Sequence, residues 1–182
     1  IGSHTVVELI AQGHNVTIID NFINSSKDTI NALEKITGQQ IGFEELEVRN
    51  KVDLAFFMEN RCIEAVIHFA ALKAVGESVE KPLEYYRNNI DGLLSVLEAM
   101  QQTGVTKLIF SSSATVYGDP DTLSITEDAP LKTPTNPYGA TKQMAEQIIA
   151  DVAKATNIQA VNLRYFNPIG AHPSGLIGEL PK

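Results

Sequence analysis

Short apolar runs rich in β-branched residues alternate along the chain with stretches of helical periodicity. The apolar runs predict buried strands at 16–20, 65–71, 107–113 and 160–166, and a fifth strand, with a pattern weakened by glutamates, at 41–48. The helical periodicity predicts helices over 3–12, 26–37, 51–60, 82–103 and 138–155. Strands that alternate with helices indicate an α/β fold in which a doubly wound parallel sheet is covered on both faces.

The longest stretch without periodicity is 118–137. It is rich in turn residues and longer than an ordinary connection, which favours a functional loop over a linker. The chain opens directly in a predicted helix, so we expect the doubly wound sheet to be incomplete at the N-terminus. It closes on a Gly/Pro-rich segment with no core pattern, and we expect an internal piece of a longer protein.

Composition narrows the class of protein. The 182 residues are 43% hydrophobic, which is enough to bury a full core. The single cysteine, Cys62, excludes an internal disulfide framework and a cysteine-rich zinc site, and the net charge of -8 argues against a nucleic-acid binder. No apolar run approaches the roughly 20 residues that span a bilayer, so we expect a cytoplasmic protein.

Tyr138 and Lys142 lie one turn apart at the start of the last predicted helix. Pro137 suits the first helical position and Asn136 can cap it. The pair shares a face with apolar residues and therefore points toward the sheet, where an unpaired lysine is costly. A surface tyrosine beside a snorkelling lysine is the commoner explanation of such a pair, and an acid/base pair is the alternative.

The beginning of the chain is compatible with dinucleotide binding. In a Rossmann-type unit, a glycine-rich turn leads into a helix and the following strand ends in an acid that binds the adenosine ribose. Gly2 could be the last glycine of that turn, and Asp20 follows 18 residues later, near the usual spacing of about 20. Gly2 could equally permit close helix packing and Asp20 could cap a turn, so the spacing leaves both explanations open.

Four motifs occur in order: HFAALKAVGESVEKPLEYYRNN from 68, FSSSATVYGD from 110, NPYGATK from 136 and LRYFNPIGAHPSG from 163. Together they resemble the extended short-chain dehydrogenase/reductase family, and the resemblance runs from residue 1 to about 178. It implies NAD as the cofactor and a UDP-sugar as the substrate. It also implies an NAD-binding domain at 1–167 and the start of a sugar-nucleotide-binding region at 168–182.

The resemblance implies a catalytic Ser113, Tyr138 and Lys142. Tyr138 would exchange a proton with a sugar hydroxyl, and the nearby ammonium is expected to lower its pKa from about 10 toward neutrality. The choice of Ser113 over Ser112 or Thr115 rests on the resemblance. The substrate-binding residues that it implies are Ser113, Tyr138 and Asn167.

An NAD site follows from the same resemblance, and no metal site does. Asp20, Asn21, Phe22, Asn24 and Ser25 are expected to surround the adenosine, with Glu47 near the adenine. Phe69, Ala70, Ala71 and Lys73 are expected to line the nicotinamide side, and Asn88 and Phe166 complete the site. Further cofactor-binding candidates are Ile1, Gly2, Val48, Tyr138 and Lys142. The carboxylate of Asp20 favours NAD over NADP because it would repel a 2′-phosphate. Glu47 stands where the family commonly has the shorter aspartate, which changes the expected adenine contact.

The implied reaction inverts carbon 4 of a UDP-hexose through a 4-keto intermediate, in a homodimer formed by helices 82–103 and 138–155. A 4,6-dehydratase or a decarboxylase is the alternative enzyme. Dehydratases usually carry an Asp-Glu pair after the strand-end serine or threonine, where this chain reads SSSATVYG. A non-catalytic dinucleotide-binding sensor is a further alternative, although such proteins often lose the tyrosine or the lysine.

The 182-residue chain by itself is expected to bind NAD poorly and to be inactive. The first strand and glycines of a dinucleotide-binding unit supply most of the backbone amides that hold the pyrophosphate, and they are absent from this sequence. Isothermal titration of the purified chain with NAD measures this directly. Tight, stoichiometric NAD in the purified chain would show the prediction to be wrong.

Overall fold

A computed structural model describes residues 1–122 and 124–179. The chain forms two compact units. Unit 1 comprises Ile1–Glu47 and the described residues from Asn167 onward, and unit 2 comprises Val48–Phe166.

Unit 1 is a small layer of helices on a two-stranded sheet. Its elements are α1 (Gly2–Ala11), β1 (Thr17–Asp20), α2 (Asp28–Thr37) and β2 (Gly42–Glu45). The strands are parallel and pair from Thr17 with Gly42 to Asp20 with Glu45. The core of the unit is formed by the buried side chains of Val7, Leu33, Ile41 and Ile177.

Unit 2 contains a three-stranded parallel sheet in the order β3-β4-β5. Its strands are β3 (Ala65–His68), β4 (Lys107–Ser113) and β5 (Gln159–Tyr165). Its helices are α3 (Lys51–Asn60), α4 (Val75–Glu80), α5 (Pro82–Tyr86), α6 (Gly92–Thr103) and α7 (Pro137–Ala155). A π-helical turn, Arg87–Asp91, joins α5 to α6, and a 3₁₀ turn, Ala114–Tyr117, follows β4. Helix α3 packs against α6, and α7 packs against β4 and β5.

The five predicted strands and the five predicted helical segments are all present. Each was predicted from the local spacing of apolar residues, which depends little on distant parts of the chain. The strand predicted for 65–71 ends early, at His68, and α4 was not predicted. Among the described residues, the strands form two separately hydrogen-bonded parallel sheets.

One expectation about burial was wrong. In β5 the side chains of Val161 and Leu163 are exposed. Side chains two positions apart in a strand share one face of the sheet, so this face of β5 is open to solvent. The helical segment 82–103 buries Tyr85, Asn89, Leu93, Val96 and Met100 and leaves Leu83 and Leu94 exposed.

None of the helices in the described part of the chain combines the length and the apolar character that crossing a bilayer requires.

Candidate active site

Local sequence fixes the first turn of α7. The side chain of Asn136 accepts a hydrogen bond from the backbone N–H of Gly139 at 2.9 Å, and Pro137 occupies the first turn, where no backbone donor is needed. Tyr138 is therefore placed at the very start of the helix, and Lys142 follows one turn later. The predicted inward orientation of Lys142 is confirmed, since only 4% of this residue is exposed.

The ammonium group of Lys142 is held by β4. Its Nζ donates to the carbonyl oxygen of Ser111 at 2.7 Å and lies 4.8 Å from the ring centroid of Phe110. Burial lowers the pKa of Lys142 to about 8. His68 stacks on the same Phe110 ring. Burial and the charge of Lys142 lower the pKa of His68 to about 3. His68 is thus neutral and adds no positive charge beside the ammonium.

Tyr138 is half-buried and faces groups from two other segments. Burial raises its pKa, while a hydrogen bond with Ser113 and the charge of Lys73 act in the opposite direction. The expectation that the nearby ammonium of Lys142 brings the tyrosine pKa toward neutrality was wrong for this structure. The physical reason is that desolvation outweighs the favourable groups, and the cation that contributes is Lys73, on the segment after β3.

Three hydroxyl groups at the carboxyl end of β4, those of Ser112, Ser113 and Thr115, are candidates for the catalytic serine position, and their surroundings differ. Ser112 donates to the buried carboxylate of Glu146. The Oγ1 atom of Thr115 is buried and is the one buried side-chain polar atom without a hydrogen-bond partner among the described residues. Ser113 accepts from the backbone N–H of Thr115 at 3.3 Å and hydrogen-bonds to Tyr138. These surroundings favour Ser113 as the hydroxyl that acts with Tyr138.

A buried ion pair lies one helical turn beyond Lys142. The carboxylate of Glu146 accepts from Nε and Nη2 of Arg164, with the shortest contact at 2.7 Å. Arg164 also donates to the hydroxyl of Tyr117 at 2.9 Å and to the carbonyl of Glu127 at 3.1 Å. Its hydrogen bonds with Glu146 raise the pKa of Arg164. This guanidinium therefore joins α7, β5, the 3₁₀ turn and the 118–137 loop.

The other predicted nicotinamide-side residues of unit 2 lie in three places. The segment that follows β3 carries the half-buried Phe69 and Ala71 and the exposed Ala70 and Lys73. Asn88 lies in the π-helical turn, where its Nδ2 donates to Oδ1 of Asn89 at 3.1 Å. Phe166 follows β5 and is exposed. Val48, one of the further cofactor-binding candidates, lies before α3 in unit 2 and is half-buried.

In unit 1, the predicted adenosine side lies at the carboxyl end of β1. Oδ1 of Asp20 accepts from the backbone N–H of Phe22 at 2.7 Å and from the hydroxyl of Ser25 at 2.9 Å. Asn21 donates to Oε2 of Glu47 at 2.9 Å, which brings the longer carboxylate to the end of β1. Of the remaining cofactor-binding candidates in unit 1, Ile1 and Asn24 are exposed and Gly2 is half-buried. The substrate candidate Asn167 is also exposed.

The side chain of Asp20 in unit 1 fits the chemistry of a nucleotide ribose. A carboxylate has about four acceptor positions, and two hydrogen bonds to Oδ1 of Asp20 leave capacity for ribose hydroxyls. The carboxyl ends of parallel strands are also where open α/β folds bind such ligands. No group of three or more His, Cys, Asp or Glu side chains able to hold a metal ion occurs within residues 1–122 and 124–179.

Sequence reasoning missed Asn89 and Thr141, which link this region together. Asn89 is 6% exposed and Thr141 is fully buried. A signal existed for Asn89, because Tyr85, Asn89 and Leu93 are spaced four apart along one helix face. A polar residue on an otherwise apolar stripe indicates a buried hydrogen-bonded group.

Comparison with known proteins gives one family. A family model described as "NAD dependent epimerase/dehydratase family" matches residues 1–180. The chain is 56% identical over 184 residues to UDP-glucose 4-epimerase of Bacillus subtilis and 55% identical over 183 residues to that of Dictyostelium discoideum. Each alignment covers 100% of this chain and 53% of the relative. The chain thus spans about half the length of the curated relatives it matches.

Solved structures of such relatives are close in fold. The structure of UDP-glucose 4-epimerase from Bifidobacterium longum in complex with NAD+ and UDP matches with a TM-score of 0.96 and 49% identity, over 99% of this chain and 54% of that chain. The enzyme from Stenotrophomonas maltophila, with bound NAD and formylated UDP-arabinopyranose, gives a TM-score of 0.96 and 47% identity, over 100% and 54%. These matches confirm the predicted Rossmann-type α/β fold.

Replacing Lys142 by Met should change how stability depends on pH. Between about pH 8 and the ordinary pKa of 10.5, the folded protein has released the Lys142 proton that the unfolded chain still holds. The wild-type free energy of unfolding should therefore rise across this window relative to Lys142→Met, by about 3 kcal/mol. Urea unfolding of both proteins at several pH values measures the difference. Lys154→Met, at an exposed position of the same helix, controls for the loss of a charge. If the free energies of unfolding of wild type and Lys142→Met differ by the same amount at every pH, the lowered pKa of Lys142 is contradicted.

Proposed function

The chain belongs to the NAD dependent epimerase/dehydratase family, and from this premise we propose that the protein containing it is an NAD-dependent isomerase of UDP-hexoses. The proposed reaction inverts carbon 4 and interconverts UDP-glucose and UDP-galactose through a 4-keto intermediate, as in galactose metabolism. The observation that carries the proposal is the hydrogen-bonded pair of Ser113 and Tyr138 at the end of β4, with the ammonium of Lys142 one turn away.

Tyr138 is proposed as the acid/base group. An inversion through a ketone needs one residue that removes a proton from the 4-hydroxyl and later returns it, so both protonation states must be accessible. Burial favours the neutral phenol, whereas the Ser113 hydrogen bond and the charge of Lys73 favour the phenolate. The opposed influences leave Tyr138 able to work in both directions.

The proposed cofactor is NAD. Asp20 would accept hydrogen bonds from the adenosine ribose, and Phe69, Lys73, Asn88 and Lys142 would lie on the nicotinamide side. When bound, NAD would take a hydride from carbon 4 and return it to the other face. Ser113 would hold the 4-hydroxyl against Tyr138, and Asn167 would contact the UDP group.

The alternative enzymes have less support. The 3₁₀ turn directly after Ser113, Ala114–Tyr117, contains no carboxylate, whereas dehydratases usually carry an Asp-Glu pair at this place. A non-catalytic sensor would not need a buried lysine beside a hydroxyl pair, because burying an ammonium carries a cost in stability. Both observations favour epimerisation.

In the complete protein that carries this chain, Tyr138→Phe should abolish epimerisation while NAD remains bound. The substitution keeps the ring and removes only the group that transfers the proton, so we expect a loss of about 10²-fold or more in kcat. The measurement is the ratio of UDP-glucose to UDP-galactose over time, with bound NAD quantified after denaturation.

The matched control is Tyr165→Phe, which removes a hydroxyl from the end of β5 and should leave turnover unchanged. Unchanged turnover in Tyr138→Phe would disprove the mechanism. A parallel assay with UDP-N-acetylgalactosamine shows whether N-acetylated sugars are substrates.

A homodimer is also part of the proposal, as is a cytoplasmic location. Apolar side chains remain exposed on the two helical segments that the resemblance places at a dimer interface: Leu83 at 78%, Leu94 at 40% and Met144 at 48%. Pairing these helices with those of a second copy would remove this apolar surface from water, which is favourable at about 25 cal/mol per Å².

Leu94→Glu together with Met144→Glu should convert the complete protein from dimer to monomer, because the interface would bury unpaired carboxylates. Analytical ultracentrifugation measures the mass. Val52→Glu, at a position of α3 that is 70% exposed, is the control and should leave the dimer intact. A dimer that persists in the double variant would contradict the proposed interface.

A further inference from the structure

One face of β4 carries a buried aromatic ring beside a histidine of the neighbouring strand. Leu108, Phe110 and Ser112 are buried and lie two positions apart, so they share one face of the sheet. The register of the parallel pair places His68 of β3 next to Phe110. The two rings stack with their centroids 6.0 Å apart and their planes at 22°. This cross-strand contact helps to fix the orientation of the Phe110 ring.

The face of the Phe110 ring meets the ammonium of Lys142. The Nζ atom of Lys142 lies over the ring, 4.8 Å from its centroid, within the range of about 6 Å in which an aromatic face attracts a cation. Phe110 is 2% exposed and Lys142 is 4% exposed. Such an attraction is stronger in a site without water, because water then no longer competes for the charge.

The charge of Lys142 is not balanced by a carboxylate. Within the part of the chain that the structure describes, its Nζ forms no ion pair, and its one hydrogen bond is to the carbonyl oxygen of Ser111. Glu146, the next carboxylate along α7, accepts instead from Ser112 and Arg164. An ammonium in the interior is costly unless other groups stabilise its charge. The ring of Phe110 is a group that can do so.

A ring and a carboxylate would stabilise this ammonium with different consequences. An ammonium has three N–H donors, and the bond to Ser111 uses one of them. A carboxylate would use a further donor and cancel the charge. The face of a ring attracts the cation through its quadrupole, so the net charge of Lys142 remains and two donors stay available for a ligand.

We propose that Phe110 is a positioning residue whose ring face keeps Lys142 charged in the interior, in the place of a carboxylate. The proposal rests on the proposed function, in which Lys142 lies on the nicotinamide side of the site. Phe110 acts through Lys142 rather than on a reacting atom. His68 supports the ring and, being neutral, adds no competing charge.

The expected consequence is an effect on the pKa of Lys142. The groups that face its Nζ are Phe110 and the Ser111 carbonyl from β4, His68 from β3, and Tyr138 from its own helix. Burial lowers the pKa of Lys142 to about 8, and the ring opposes this effect. If the attraction of the ring is weakened, the ammonium should release its proton at a lower pH.

The test replaces Phe110 in the complete protein by phenylalanines that carry one, two or three fluorine atoms on the ring. Fluorine withdraws negative charge from the ring face and changes the ring volume little, so the attraction weakens in steps while the packing is kept. NMR titration of the ε-carbon of Lys142 measures its pKa, and Lys142→Met identifies the signal. We expect the pKa to fall with each fluorine, by about one pH unit for the trifluorinated ring. An unchanged pKa across the series would overturn the proposal.

Phe57 provides the matched control. It is a buried ring of α3, and among the described residues no cation lies over it. The same fluorinated residues at position 57 should leave the titration of Lys142 unchanged, and an equal fall there would overturn the proposal. Phe110→Leu removes the ring and should lower the pKa of Lys142 at least as far. If Phe110→Leu does not fold, the fluorinated series decides the outcome.

The titration also separates this proposal from the proposed function, because it needs no turnover. If the wild type does not epimerise UDP-hexoses, the proposed function fails, and the NMR titration still tests Phe110. If the wild type epimerises them and fluorination leaves the pKa of Lys142 unchanged, the role of Phe110 alone is refuted. When both hold, the alkaline limb of the kcat–pH profile should move to lower pH in the same steps as the titration.

Discussion

An ammonium group buried within unit 2 sets the arrangement of the elements around it. Lys142 cannot face the sheet unless an acceptor meets it, and the carbonyl of Ser111 supplies that acceptor. The same contact fixes how far α7 stands from β4. It thereby places Tyr138, which lies one helical turn before Lys142, beside Ser113. Ser113 follows Ser111 by two residues in β4. The candidate chemistry thus depends on one helix-to-strand hydrogen bond that is made by a charged donor.

The buried polar groups of α7 are partnered in a regular order along the helix. Thr141 bonds with Asn89, Lys142 with β4, and Glu146 with Ser112 and Arg164. Polar groups of this kind add less to stability than a well-packed apolar core would, but they specify one relative placement of the elements. On α7, these hydrogen bonds join the helix to β4, to β5 and to the π-helical turn.

Much of this arrangement was predictable because the signals are local. Asn136 and Pro137 mark the start of α7, and the apolar run at 107–113 gives the bounds of β4. The partners were not predictable, since Asn89 bonds to residues 17 and 52 positions away. The rise in the pKa of Tyr138 was not predicted, for a similar reason. The lysine one turn away is visible in the sequence, whereas burial and the approach of Lys73 arise only when distant segments pack together.

The π-helical turn at Arg87–Asp91 also limits how this part of the chain can vary in length. A π-helical turn holds one more residue than an α-helical turn, and each residue of an α-helix advances by about 100° around the axis. Tyr85 before the turn and Leu93 after it both lie in the core, with Asn89 between them. Deleting one residue here would remove the π-helical turn but rotate either Tyr85 or Leu93 out of the interior. Insertions and deletions should therefore be absent from 85–93 in working homologues, and should collect in the irregular 118–137 loop instead.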